Sequence, residues 1–283
     1  MQKKWQTSER TFDFGEKTLV MGILNITPDS FSDGGNFVKI ESALRQAEQM
    51  IEEGADILDV GGESTRPGSV RVTSDEEIQR VVPVIEEIKK QFDIAISIDT
   101  SKSEVANEAI DAGAEIINDI SGLRFDEGIG RLAAETRCGL ILMHSRGEFE
   151  NMHKQKSVES VLEEISFGFN RSIEKAKSYG VNTEQICLDV GIGFSKTRKQ
   201  NLELISKLRV LADEFDEYPM LIGTSRKSFI GKILDDAPVG KRLNGSIAAN
   251  IIAVLHGANI VRVHDVAENI EALKIVNQIE KCK

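Results

Sequence analysis

The chain has 283 residues, 40% of them hydrophobic and 29% charged, a composition that suits one globular unit with a large buried core. Against 35 basic side chains stand 46 acidic ones, and the formal net charge of −11 excludes a nucleic-acid binder held by general electrostatics, which needs a basic face. Three cysteines without a C-x-x-C pair exclude a disulfide framework, and neither a signal-peptide core after Met1-Gln2-Lys3-Lys4 nor a membrane-length apolar stretch is found, so the chain is expected in the cytoplasm.

In chain order, Thr11-Phe12-Asp13-Phe14-Gly15-Glu16-Lys17-Thr18 alternates around a glycine and predicts a hairpin closing the amino end of the fold. From Leu19 onward one rhythm repeats: a short apolar, β-branched run breaks off into polar and glycine residues. The runs are Leu19 to Asn25, Ala55 to Val60, Ala95 to Asp99, Glu115 to Asn118, Gly139 to His144, Gln185 to Asp189, Met220 to Thr224 and Asn259 to His264. Such runs separated by helix-period segments read as parallel strands of βα units, and this number of units predicts an α/β fold, a TIM (β/α)8 barrel. The whole chain, 1–283, is expected to form this single domain, with 1–18 as the amino-terminal hairpin extension.

Between the runs the helices are signalled by period and caps. Ala43, Ala47, Met50 and Ile51 share a face before Gly54. Ser74-Asp75-Glu76-Glu77 fits a capping box, followed by Ile78, Val81, Val82, Ile85 and Ile88 on one stripe. A long helix is expected over 157–179 up to Gly180, and Ile247, Ile251, Ile252 and Leu255 predict a core-facing stripe before Gly257. Cys187, inside a strand run, reads as a small core residue.

In such barrels the carboxyl ends of the strands carry the chemistry, so the run ends predict the site. Arg66, Arg226, Lys227, Arg262 and His264 fall at or just after run ends, which makes a basic rim on an acidic body and predicts a focused anion site. Taken singly, each is equally a solvated loop cation. Strand alternation puts Arg262 and His264 on one face, two potential cations aimed at the barrel mouth, and the segment Gly223-Thr224-Ser225-Arg226-Lys227-Ser228 lies where barrels frequently bind phosphate. Asp99, Asn118 and Asp189, expected on the opposite side of the rim, suit a flat heterocycle rich in N–H and C=O groups. Two long loops, Asn25 to Gly35 and Gly61 to Ser69, mix glycines, hydroxyls and charges as mobile lids do. Neither is a nucleotide-binding glycine loop. His144, His153 and His256 lack a partner for nucleophilic catalysis and read as structural or surface residues.

Asn25 to Gly35, Asp59 to Ser69, Ser97-Ile98-Asp99-Thr100, Asn118-Asp119-Ile120-Ser121-Gly122, Leu188-Asp189-Val190-Gly191-Ile192-Gly193-Phe194, Gly223 to Gly231 and Arg262-Val263-His264-Asp265 resemble the dihydropteroate synthases, the folate-pathway family targeted by sulfonamides. The likeness runs in order from about residue 19 to 283, without a departure at these positions. It implies condensation of 6-hydroxymethyl-7,8-dihydropterin pyrophosphate with p-aminobenzoate to 7,8-dihydropteroate and pyrophosphate, by an SN1-like route assisted by Mg2+. It further implies that Asp99, Asn118, Met143, Asp189, Phe194 and Lys227 bind the pterin. Asn25, Thr65, Arg66, Arg262 and His264 are implied at the pyrophosphate, with Asn25 touching the metal. Phe31, Asp33, Thr65, Arg66, Pro67, Lys227 and Ser228 are implied at p-aminobenzoate, and Asp99, Lys227, Arg262 and His264 as the catalytic set. The resemblance also implies a homodimer without nucleic-acid or membrane partners, and the chain lacks a pyrophosphokinase segment. A pterin-dependent methyltransferase barrel shares such a pocket but has no pyrophosphate to hold, which Arg262, His264 and the two long loops argue against. A catalytically silent pterin-binding barrel is the non-enzymatic alternative, and turnover separates it.

Overall fold

The computed structural model describes residues 3–15, 17–26, 36–66 and 68–282, over 36–39 by the backbone alone. Two short strands, β1 (Lys4–Gln6) and β2 (Thr11–Asp13), pair antiparallel with Trp5 opposite Phe12. Their turn lies at Thr7 to Arg10, not at Gly15, because the Thr7 hydroxyl accepts the Arg10 N–H at 3.1 Å while its own N–H reaches the Arg10 carbonyl at 2.9 Å. The predicted hairpin is therefore shifted toward the amino end.

Next come β3 (Leu19–Asn25), β4 (Ile57–Gly61), β5 (Ala95–Asp99), β6 (Ile116–Asp119), β7 (Gly139–Met143), β8 (Ile186–Asp189), β9 (Met220–Ile222) and β10 (Ile260–Val263), which close into a barrel in sequence order. All neighbours pair parallel, β10 with β3 included. Around them run α1 (Asn36–Glu52), α2 (Ser74–Gln91), α3 (Ser103–Asp111), α4 (Gly128–Thr136), α5 (Val161–Ser178), α6 (Arg198–Ser206), α7 (Leu208–Glu214), α8 (Ser228–Ile233), α9 (Leu243–Leu255) and α10 (Val266–Glu280).

Period-2 alternation sorts the strand side chains into two cores. Leu58, Val60, Ile96, Ile98, Ile117 and Leu142 point outward and pack under the helices. Leu19, Met21, Ile57, Ala95, Ile116, Ile141, Cys187, Leu221 and Ile260 point inward and fill the amino end of the barrel around Trp5. The Trp5 indole donates to the Gln185 carbonyl at 2.8 Å, and a Cβ at Gly139 would meet its ring at 3.1 Å. The hairpin thus plugs the amino end of the barrel, opposite the polar strand ends.

Three helices depart from their sequence signals. The α2 cap is Thr73, whose hydroxyl accepts the Glu76 N–H at 3.2 Å, one residue before the expected Ser74. Glu77 is instead fully buried and bound to Lys102, because a buried carboxylate needs a cation more than the helix needs a second cap. The helix expected from 157 starts at Val161, since Ser160 caps it by accepting the Glu163 N–H. In α9 the expected apolar stripe is not the buried face: Ile252 and Leu255 are 44% and 40% exposed, whereas Ser246 and Asn250 are buried. The polar pair faces inward because it serves the loop after β9, Ser246 accepting the Arg226 N–H at 2.9 Å and Asn250 the Thr224 hydroxyl at 2.6 Å. No helix among the described residues is long and apolar enough to cross a membrane.

Candidate active site

At the carboxyl end the inward positions turn polar: Asn25 on β3, Asp59 and Gly61 on β4, Ser97 and Asp99 on β5, Asn118 on β6, Met143 on β7, Asp189 on β8 and Arg262 on β10. Register sets neighbours side by side, with Asp99 paired across to Gly61 and to Asn118, and Met143 to Asp189. The outward neighbour Asp119 holds the next loop, its carboxylate accepting the Ser121 and Leu123 N–H groups at 2.7 and 2.6 Å.

Arg262 is the centre of a network that spans the barrel. Its Nε donates to Asp59 Oδ2 at 2.6 Å and its Nη2 to Asp99 Oδ2 at 2.6 Å, while Asn118 Nδ2 donates to the same Asp59 oxygen at 3.1 Å. The cation and the carboxylate set therefore do not face one another across the rim, as strand ends alone suggest. They touch, because Arg262 is long enough to cross the mouth, and the fully buried Asp59 carboxylate and the half-buried Asp99 carboxylate require a charge between them. Asp59, fully buried, keeps its Oδ1 without a hydrogen-bond partner. Burial pushes the Asp99 carboxyl up to about 7, against the pull of Arg262, whereas the two carboxylates hold the guanidinium firmly charged.

Lys227, at the start of α8, forms the other cationic corner. Its ammonium donates to the Ile192 carbonyl at 2.6 Å and sits 4.4 Å from the centroid of the Phe194 ring. Burial lowers its pKa to about 8, with Asp189 pulling the other way. Asp189 Oδ1 accepts the Gly191 N–H at 2.8 Å, which folds the following loop back under Lys227. Burial raises the Asp189 carboxyl above the usual range. Met143 and Phe194 belong to one apolar cluster with Ile120, Phe149 and Met152, a wall beside these polar groups.

The other expected cations divide. Burial and the Arg226, Arg262 and Arg66 charges push His264 down to about 3, so it stands here as a neutral ring and not as the second inward cation. Its Nδ1 lies 3.0 Å from the Ser225 hydroxyl. Arg226 leaves the site: it pairs twice with Asp265, its Nε 3.0 Å from Oδ2, in a left-handed backbone conformation with φ of 57°. Thr65 is half-buried, while Arg66 and Ser228 are exposed at the rim. Phe31, Asp33 and Pro67 lie outside the described residues.

Asn25 offers a single neutral oxygen to a metal. A Cβ at Gly61 would come within 3.5 Å of Asp99 Cβ and 3.8 Å of both Asn25 Oδ1 and Asp99 Oδ2, so the glycine keeps open the space these oxygens border. Among the described residues no group of three or more His, Cys, Asp or Glu side chains is placed to hold a metal. That donor set fits Mg2+, which takes one or two protein oxygens and completes its octahedron with water and phosphate, and does not fit a closed protein cage.

Two residues of this end are missing from the predicted site set. Asp59 opens the Asp59-to-Ser69 segment and stands out as a charge inside an apolar run at the inward parity, Ile57-Leu58-Asp59-Val60. Lys196 is half-buried, and its ammonium reaches the carbonyls of His144, Gly191 and Phe194 at 3.2, 2.9 and 3.0 Å and His144 Nδ1 at 3.1 Å. It clamps the Asp189-to-Phe194 loop to the end of β7, and burial lowers its pKa to about 7.

Residues 21–264 match the family described as pterin binding enzyme. The chain is 47% identical over 271 residues to the dihydropteroate synthase of Clostridium beijerinckii, covering 95% of this chain and 97% of that one. A crystal structure of the Clostridium difficile dihydropteroate synthase in the presence of pteroic acid superposes with a TM-score of 0.89 at 46% identity, covering 95% of this chain and 98% of the other. The Xanthomonas albilineans dihydropteroate synthase with 4-aminobenzoic acid gives a TM-score of 0.91 at 36% identity, with 99% of each chain covered.

Proposed function

The chain belongs to the dihydropteroate synthase family of pterin-binding transferases, and from that membership we propose that it joins 6-hydroxymethyl-7,8-dihydropterin pyrophosphate to p-aminobenzoate, releasing pyrophosphate in folate synthesis. The observation that carries this reading is the Arg262 network, a guanidinium gripped by Asp59 and Asp99 beside Asn118, facing the Lys227 and Asp189 corner of one mouth.

Asp99, Asn118, Asp189 and Lys227 read the polar edge of the pterin, and Met143 and Phe194 pack against its ring. Buried polar groups recognise such a pattern sharply because an unmatched ligand leaves them unpaired. Arg262 and His264 face the pyrophosphate with Thr65, Arg66 and Asn25. Cleavage of the C–O bond sends its electron pair out with pyrophosphate. Arg262 stabilises that charge, while Asp99 and Asp189 supply negative potential beside the cationic methylene of the electron-rich pterin. The amine of p-aminobenzoate then forms the new C–N bond and loses a proton. Asn25, together with the substrate's phosphates, would hold Mg2+, which would supply further charge neutralisation on the leaving group. Thr65, Arg66, Lys227 and Ser228 frame the second substrate, with Phe31, Asp33 and Pro67 assigned there on family likeness. Because Arg66 needs an anionic partner, p-aminobenzoate binds after pterin pyrophosphate. The clostridial relative's pteroic acid and the Xanthomonas relative's 4-aminobenzoic acid support the same pair of ligand classes here.

The protein works in the cytoplasm as a homodimer. The apolar face left open on α9 and α10, with Ile252, Leu255, Ile275 and Ile279 at 44%, 40%, 65% and 60% exposure, supports a second copy there.

Calorimetry tests the pocket. Asp189→Asn should weaken binding of 6-hydroxymethylpterin by about 1.5–3 kcal/mol, the loss of a buried charge-assisted hydrogen bond. Arg262→Ala should weaken pterin pyrophosphate more than the pterin alone. Equal losses for the two ligands in Arg262→Ala would show that Arg262 does not serve the leaving group.

A further inference from the structure

His153 joins the two halves of the mouth. It follows the short turn Phe149–Asn151 in the connection after β7 and is half-buried. Its Nε2 lies 2.8 Å from the Thr65 carbonyl oxygen, in the connection after β4, and its ring packs on Phe194, centroids 5.3 Å apart and tilted by 32°. A carbonyl only accepts, so Nε2 carries the proton and the Thr65 partner fixes the tautomer. Phe194 in turn lies under the Lys227 ammonium, whose second contact is the Ile192 carbonyl.

Lys227, Phe194, His153 and Thr65 therefore form an unbroken line of contacts. Its Phe194 end is stiff: Lys196 binds the carbonyls of Gly191 and Phe194, and Gly191, Gly193 and Ser195 all hold left-handed conformations. His153 is tied to the same platform, because the preceding carbonyl, of Met152, accepts the Ser195 hydroxyl. The base of the Thr65 segment is equally fixed, since the Lys102 ammonium binds Glu63 at 3.0 Å and the Val72 carbonyl at 2.8 Å. Between two anchored frames, one hydrogen bond and one ring contact at His153 transmit position.

We propose that His153 is a positioning residue that couples occupancy of the pterin pocket to the placement of Thr65 and Arg66 for the aromatic amine. This rests on the assignment of Phe194 and Lys227 to the pterin and of Thr65 and Arg66 to the second substrate. A ligand that orders the Phe194 ring also orders the imidazole on it, and the imidazole holds the Thr65 backbone. The coupling is reciprocal, so a well-placed second substrate steadies Phe194 in return. Thr65 takes part through its backbone, so His153 is the position at which side-chain variants interrogate the link.

The test compares the wild-type chain with His153→Ala and His153→Gln in condensation assays that vary p-aminobenzoate at saturating pterin pyrophosphate, alongside calorimetry with 6-hydroxymethylpterin. His153→Ala should raise the KM for p-aminobenzoate about tenfold, with a smaller change in kcat and a pterin Kd within about threefold of wild type. Gln, whose amide N–H reaches a carbonyl in place of Nε2, should recover most of the loss. An unchanged KM in His153→Ala overturns the proposal, and so does a pterin Kd that worsens in parallel with the KM. A wild-type chain that does not condense the two substrates overturns instead the function on which the proposal rests, and that result is seen before any variant is compared.

Discussion

His264 shows how the residues around a site set its chemistry. A histidine on its own titrates near ~6.5, yet burial and three neighbouring arginines push this one down to about 3. The sign of the consequence is fixed: between those values the unfolded chain binds a proton that the fold refuses, so the stability His264 contributes is full above about pH 6.5 and lost as pH falls toward 3. Denaturant unfolding should show the wild-type chain losing about 1–2 kcal/mol more than His264→Asn between about pH 7 and pH 5. Equal acid losses in the two proteins would mean that His264 is protonated in the fold. His264 was legible as an inward strand-end residue, but its charge was not. That depends on Arg66 and Arg226, which approach it from other loops, and no spacing reports such an approach. Arg262 follows the same logic, its partner Asp59 lying 203 positions away.

At the scale of elements, periodicity located the strands and four helices, α1, α2, α5 and α9, and misread a helix face where a polar side chain had a task inside. In α9 the run Ile247, Ile251, Ile252 and Leu255 looks like a core stripe, but Ser246 and Asn250 are buried to hold Thr224 and Arg226 behind the loop that presents Lys227. Asn250 also donates to Asn269 at 2.9 Å, tying α10 into the same brace. The apolar side of α9 then faces outward, where a second copy can bury it. Ile252→Lys with Leu255→Lys should convert a dimer to a monomer in sedimentation velocity with little change in melting temperature, since both side chains are already 40% exposed or more. A coefficient that stays at the dimer value would place the contact elsewhere, and a wild-type chain that already sediments as a monomer would contradict the homodimer. In α2, likewise, Glu77 satisfies the capping pattern yet is spent on Lys102.

Across the whole molecule, the barrel was readable because each strand alternates between an inward and an outward set, and a closed barrel converts that alternation into a shared mouth. Trp5 completes it from the opposite end, a role that the alternation around Gly15 only approximated because the turn is set by the Thr7 hydroxyl. The residues at the mouth were legible as strand ends; the line from Lys227 through Phe194 and His153 to Thr65 was not, since it joins four connections by backbone and ring contacts that carry no motif. The central claim is that this mouth joins two substrates at the cost of one pyrophosphate. It is tested most directly by measuring pyrophosphate release from purified protein with Mg2+, given pterin pyrophosphate and p-aminobenzoate together and each alone. Release that requires both, matched mole for mole by dihydropteroate, is the predicted result, whereas equal release without p-aminobenzoate, or none with both, would contradict the account.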